Sequence, residues 1–250
     1  MVTRVGNQLA LSRQLPHLRL FVRQSIGYLF VAPAVVFLAV VTVYPLLDTV
    51  KTSFTEINPR DRTEQFVGLD NYSELLEDEV LHNAIENTLK FTILSVVLHQ
   101  LVGGALALLL NERWAGLGLR NITRGVLILP WLFSTAASAL VWGLLFHTFG
   151  ILNYILQTLG LSSTTIEFLG DREVALYSLV LVNVWQSFPF YMVLLLGGLQ
   201  SIPSELYEAG LVDGAARFQR FRHITLPLLR PVILATTTID IITTAGHFDL

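Results

Sequence analysis

Among the polar side chains inside long apolar runs, four are candidates for chemistry: His99, Asn183, Gln186 and Asp240. Such a group is costly in lipid, so it faces a pathway, a partner helix or a coupled ion. Asp240 carries the most weight. It lies well inside the run 228–245, and leaving its carboxylate in lipid is implausible, so it either pairs with a neighbouring helix or lines a route. The stretch NVWQSFPFYMV adds Trp185, Phe188 and Tyr191 around Pro189. Their rings could stack on a sugar while Asn183 or Gln186 bonds its hydroxyls, and they would serve equally well as packing between helices. A second kind of chemistry is concentrated in ELYEAGLVDGAARFQRFRHITLP, residues 205–227, a charged, small-residue island between two apolar runs.

The tools of an enzyme are absent, and no catalytic residue is expected. Lys51 and Lys90 follow no glycine, which excludes a phosphate-cradling loop and an ATPase site in this chain. Neither H-E-x-x-H nor G-x-S-x-G occurs, the histidines lack metal-ligand spacing, and there is no cysteine. No metal or cofactor is expected. The basic residues flank membrane runs, which leaves no nucleic-acid patch.

These residues need a membrane scaffold. Of 250 residues, 53% are hydrophobic and 14% charged, with a mean hydropathy of +0.60, against about 25% charged in soluble domains. Five runs are long enough to cross a bilayer: 26–47, 88–110, 125–146, 174–199 and 228–245. The first is too long for the core of a signal peptide and reads as a retained span. Prolines at 33, 45, 130, 189 and 231 fall within or at the ends of these runs and predict kinks. Arg4, Arg13, Arg19 and Arg23 precede the first run, and Arg113, Arg120, Arg124, Arg217, Arg220 and Arg222 follow the second and fourth. By the positive-inside rule those flanks and the N-terminus are cytoplasmic, and the acid-rich loops 48–87 and 147–173 face outward. Asp70 or Asn71 is expected to cap a short helix in the first of those loops.

The island 205–227 is therefore cytoplasmic. Ser204 is expected to cap a short helix with Glu205 and Glu208 near its positive end. Asp213-Gly214 reads as a turn, with Asp213 also able to cap a second helix bearing Arg217, Arg220 and Arg222. The result is a helix-turn-helix elbow under the bilayer. Its small residues, beside Leu206, Tyr207, Leu211, Phe218 and Phe221, fit docking into a partner, and fit packing on the chain's own spans as well.

The spacing E-A-G, then Gly214, then I-T-L-P resembles the cytoplasmic EAA motif of permease subunits of bacterial and archaeal ABC importers, with Gly210 where alanine is usual. YLFVAPAVVFLAVVTVYPLLDTVKTSF, FVGLDNY, NTLKFT and GVLILPW are similar to the sugar, polyol and glycerol-phosphate branch, which includes the maltose and glycerol-3-phosphate permeases. The resemblance implies an all-α, polytopic transmembrane bundle. It would comprise a cytoplasmic flank 1–25 and a permease domain 26–250, with external loop 48–87 and EAA-type coupling loop 200–227. Members of that branch have at least six spans, so a sixth is expected after HFDL and is missing from the five here. In such permeases the elbow seats in an ATPase subunit, with Glu208 as polar anchor, Ala209 and Gly210 as close-approach face, and Gly214 as turn. Asp213, Ile224, Leu226 and Pro227 complete the coupling set. Asn183, Trp185, Gln186, Phe188, Tyr191 and Asp240 form the implied substrate path. The implied partners are a second homologous permease subunit, two ATP-binding subunits, an extracytoplasmic solute-binding protein and membrane lipid, in a bacterial or archaeal inner membrane. The alternative is an ion-coupled secondary transporter that uses Asp240 or His99.

Overall fold

A computed structural model describes residues 28–58, 63–112 and 116–246. The flank 1–25 and the HFDL segment lie outside them. The chain divides into two compact units, Met1–Leu81 and His82–Leu250.

In the first unit one apolar helix, α1, spans Tyr28–Ser53. It widens to a π-turn at Ala39–Val43, shortly before Pro45. A proline ring clashes with the carbonyl four residues earlier, here that of Val41, and the wider turn accommodates it. Beyond α1, strands β1 (Thr55–Ile57) and β2 (Glu64–Phe66) pair antiparallel, with Thr55 opposite Phe66. Helix α2, Asp70–Glu77, has Leu69 at its N-cap. Asn71 does not cap it. Its amide donates to the carbonyls of Ser53 and Thr55 at 3.0 and 3.1 Å, and Tyr72 meets the Ser53 hydroxyl at 2.7 Å. These bonds tie β1 and α2 to the end of α1.

The second unit is built on long apolar helices: α3, Glu79–Asn111, α7, Arg172–Gln200, and α9, Arg217–Ala245. Asp171 caps α7, its Oδ1 accepting from the amides of Glu173 and Val174. The run expected to form the third span is divided into α4, Leu117–Leu132, and α5, Thr135–Leu145, bent by 93°. Pro130 lies inside α4, yet the chain breaks at Phe133 and Ser134, which are both extended. Ser134 stabilises the break by accepting from the amide of Ala137 at 3.3 Å. Helix α6, Ile151–Thr158, follows. There Asn153, 3% exposed, donates to the carbonyls of Thr148 and Ile166 and accepts from the Ile166 amide at 2.9 Å. Asn153→Ala is expected to cost about 2 kcal/mol, because buried partners are left unpaired. A thermal melt of the detergent-solubilised protein, showing loss of several degrees, checks this.

The apolar core joins Ala107 and Leu110 of α3, Met192, Leu195, Leu196 and Leu199 of α7, Ile202, and Leu229 of α9. Tyr207 and Ile224 pack on its edge, so the core sits against the elbow. On α3 the stripe Ile85, Leu89, Ile93, Val97 and Leu101 is exposed at helical spacing, a face suited to lipid or another apolar surface.

Candidate functional site

Asp240 and His99 meet in the interior although 141 residues separate them. Asp240 is fully buried and His99 is 1% exposed. The ring Nδ1 lies 3.0 and 3.1 Å from the two carboxylate oxygens, and Nε2 lies 3.3 Å from the Asn183 carbonyl. Both neighbours can accept, so the ring bridges the carboxylate of α9 and the backbone of α7 through its two nitrogens. Thr244 donates a further bond to Asp240 Oδ1 at 2.9 Å. Tyr191 stacks on the His99 ring, with centroids 5.0 Å apart and planes at 11°. One helical turn along, the Gln100 amide donates to the Thr236 hydroxyl at 3.2 Å.

The six residues expected along a substrate path divide into two groups. Asn183, Tyr191 and Asp240 are buried inside this polar cluster. Trp185, Gln186 and Phe188 are half-buried, and the first two meet the broken helix. There Trp185 packs on Phe133 and edge-on against Trp142, with centroids 6.0 and 5.6 Å apart, and Trp131 packs on Phe190. Gln186 donates to the carbonyl of Phe133, one of the backbone groups freed by the break. Phe133, Trp142, Gln100, Thr236 and Thr244 join these sites without having been singled out from sequence. The buried hydroxyls of Thr92, Ser95 and Ser138, the Trp142 indole N–H and the Asn183 side-chain oxygen have no protein partner. The interior is correspondingly polar, with room in its bonding for water or hydroxyl groups.

The elbow consists of α8, Ser204–Val212, and the start of α9. Ser204 is the first helical residue and Pro203 the N-cap, so the cap lies one residue earlier than expected. Asp213 ends α8 and does not cap α9. Ala216 is the N-cap there, its amide donating to Gln219 Oε1 at 2.7 Å. Gly214 takes φ +73°, the left-handed region. Its amide bonds the Leu211 carbonyl, and the Ala215 amide bonds that of Gly210, which is a Schellman C-cap. Glu208, Ala209, Asp213, Leu226 and Pro227 are exposed, whereas Gly210 and Ile224 face each other. A Cβ at Gly210 would come 3.2 Å from Ile224 Cδ1, so this small residue lets α8 lie close to α9. Tyr207 and Thr225 clasp the two helices through their hydroxyls at 3.0 Å. A second π-turn, Phe221–Thr225, precedes Pro227 as the first precedes Pro45. Arg217 pairs with Glu112 beyond the end of α3 at 2.6 Å. Glu208, Glu112, Arg217 and Arg220 line a cleft of about 770 Å³ beneath the core.

Residues 100–250 match the family described as binding-protein-dependent transport system inner membrane component. The chain is 38% identical over 231 residues to the trehalose/maltose transport system permease protein MalF of Thermococcus litoralis, covering 90% of this chain and 75% of that protein. It is 34% identical to the arabinooligosaccharides transport system permease protein AraP of Bacillus subtilis, over 88% of this chain and 69% of that one. Its fold matches a chain in the crystal structure of a bacterial ABC transporter involved in the import of the acidic polysaccharide alginate. That match has a TM-score of 0.77 and 25% identity, over 90% of this chain and 75% of the other. A second match, with a TM-score of 0.74 and 26% identity, covers 87% of this chain and 72% of a chain from the alginate transporter in complex with an alginate pentasaccharide-bound periplasmic protein. Several long apolar helices, a cytoplasmic-type EAA elbow and these likenesses agree: the chain is a multi-pass membrane protein and belongs to the family of binding-protein-dependent transport system inner membrane components.

Proposed function

We propose that this chain is the permease subunit of an ATP-driven importer for an uncharged carbohydrate or related polyol. The elbow carries the reading. It has the EAA spacing, a left-handed Gly214 that fixes its turn, and an exposed face with Glu208 and Ala209 available to an ATPase subunit. Two ATP-binding subunits, a second homologous permease and an extracytoplasmic solute-binding protein complete the assembly, with the N-terminus in the cytoplasm. The named relatives that carry di- and oligosaccharides support the solute class. Closure of the ATPases moves the elbow, and the bundle alternates between outward and inward access.

The sugar route runs past the broken helix. Trp185 and Phe188 offer apolar faces, and Gln186 offers its amide beside the freed backbone at Phe133 and Ser134. Irregular backbone at membrane depth is tolerated where it lines a cavity, which favours this place for the route. Asn183, Tyr191 and Asp240 form the polar layer behind it.

The test is uptake into liposomes containing this chain with its ATPase and second permease subunits, supplied with the binding protein outside and ATP inside. Radiolabelled maltose, trehalose and an arabinooligosaccharide serve as probes. At least one is expected to accumulate only when ATP and binding protein are both present. Accumulation without ATP, driven by a proton gradient, would favour the ion-coupled carrier, a reading that the buried His99–Asp240 pair keeps in view.

A further inference from the structure

We infer that His99 and Asp240 are positioning residues for transport: a buried, hydrogen-bonded pair that joins the elbow's own helix to α3 and α7, so that elbow and sugar route move as one piece. The inference rests on the importer reading. Helix α9 runs from Arg217 in the elbow, through the π-turn at Phe221–Thr225 and past Pro227 and Pro231, to Ala245, and Asp240 lies near its far end. An elbow displacement therefore reaches Asp240 along one helical rod, whose π-turn and prolines lie at the elbow end, before Thr236 and Asp240. What the rod moves depends on what holds its far end.

Three observations say that it is held. Both Asp240 oxygens engage His99 of α3, and Thr244 occupies Oδ1 as well. The other side of the His99 ring reaches the Asn183 carbonyl of α7, and its face lies on Tyr191 of the same helix. Gln100 and Thr236 form a second bond between α3 and α9 about one turn away, which opposes rotation as well as sliding. Opening a pair this deeply buried would leave a charged or polar group without its partner, so it resists being pulled apart. Helices α3 and α7 are themselves in backbone contact at Gly103, where a Cβ would lie 2.9 Å from the Met192 nitrogen. Asn183 and Tyr191 belong to the same stretch of α7 as Trp185, Gln186 and Phe188. The joint therefore connects the elbow to the helix that carries the aromatic face, without itself meeting the sugar.

A joint and a sugar contact differ in what their loss changes. In the complete reconstituted importer, Asp240→Asn keeps the shape and removes the charge. Its maximal sugar uptake is expected to fall about fivefold while ATP hydrolysis falls less than twofold, so that more ATP is used per sugar. The half-saturating concentration of binding protein loaded with the transported probe is expected to stay within twofold. Thr244→Val removes one bond without stranding the ring, and is expected to shift the same ratio about twofold. It also serves if Asp240→Asn fails to assemble, which co-purification with the ATPase would show. The exchange His99→Asp with Asp240→His restores opposite partners and is expected to recover at least half of the lost coupling. A rise in half-saturation at an unchanged ATP-to-sugar ratio would make Asp240 a sugar contact and overturn the inference. Unchanged coupling in assembled Asp240→Asn and Thr244→Val importers would overturn it too. If the wild-type assembly shows no ATP-driven uptake of any probe, the importer reading falls, and the inference falls with it.

Discussion

Pull-down from detergent extract should recover the ATPase subunit with the wild-type chain and lose it, by roughly tenfold or more, with the double variant Glu208→Ala, Gly214→Val. The two substitutions act differently. Gly214 has nothing within 4 Å of the place a Cβ would occupy, so steric collision with neighbours plays no part. Its φ of +73° is the whole requirement. A left-handed residue with a side chain costs about 1–2 kcal/mol, and a β-branched one is a genuine outlier there. The valine therefore opens the Schellman turn, and the start of α9 leaves its angle to α8. Glu208 is exposed and supports no buried contact of the elbow, so its loss leaves the fold intact and removes a charge from the docking face. Gly214→Ala alone is expected to weaken recovery about fivefold, as a strain of about 1 kcal/mol would do. Wild-type recovery of the ATPase by the double variant would remove the elbow from the coupling interface.

Much of this molecule could be read in its sequence, because a bilayer imposes long apolar helices whatever the partners are. The four longest helices enclose the apolar runs at 26–47, 88–110, 174–199 and 228–245 apart from the first two residues, and most extend well beyond them. The break between α4 and α5 was not legible. Pro130 marks the neighbourhood, yet the bend falls at Phe133 and Ser134, which carry no obligatory turn signal, and tertiary packing of Phe133 on Trp185 supports it. Elbow caps were one to three residues off for a related reason. Ser204 and Asp213 are good capping types, but the Pro203 and Ala216 backbones already occupy the entry positions, and Gln219 satisfies the amide that Asp213 was expected to serve. The sequence also separates His99 from Asp240 by most of the chain, so it shows two costly groups without showing that each is the other's solution. Asp240 pairing with a neighbouring helix was one of the two outcomes its chemistry allowed. The α7 residues expected along a substrate path divide along the same lines: Asn183 and Tyr191 meet the pair, and Trp185 and Gln186 meet the broken helix.

Gly103 and Gly104 are adjacent in α3, and alanine is expected to have opposite effects at the two positions. At Gly103 an added Cβ would stand 2.9 Å from the Met192 nitrogen, 3.1 Å from Tyr191 Cβ and 3.2 Å from the Tyr191 carbonyl carbon. These atoms are backbone or fixed to it, so no rotamer change relieves the contact, and helices α3 and α7 must separate. Overpacking of this kind costs about 1–3 kcal/mol. Gly103→Ala belongs at the upper end, because the separation also stretches the His99 bond to the Asn183 carbonyl. At Gly104 the nearest atom would be Leu195 Cδ1 at 3.7 Å, an ordinary contact. There alanine fills no forbidden space and removes the conformational freedom of a helical glycine, a gain of up to about 1 kcal/mol. Thermal unfolding of the two variants in the same detergent should therefore move the midpoint in opposite directions, down by several degrees for Gly103→Ala and level or up for Gly104→Ala. Gly198 provides the intermediate case. Its Cβ would meet Leu229 Cδ1 at 2.7 Å and the Val232 methyls at 3.0 and 3.3 Å, all side-chain ends that can yield in part. Gly198→Ala should lose about 1 kcal/mol, between the other two. Equal midpoints for Gly103→Ala and Gly104→Ala would mean that α3 and α7 do not touch at Gly103.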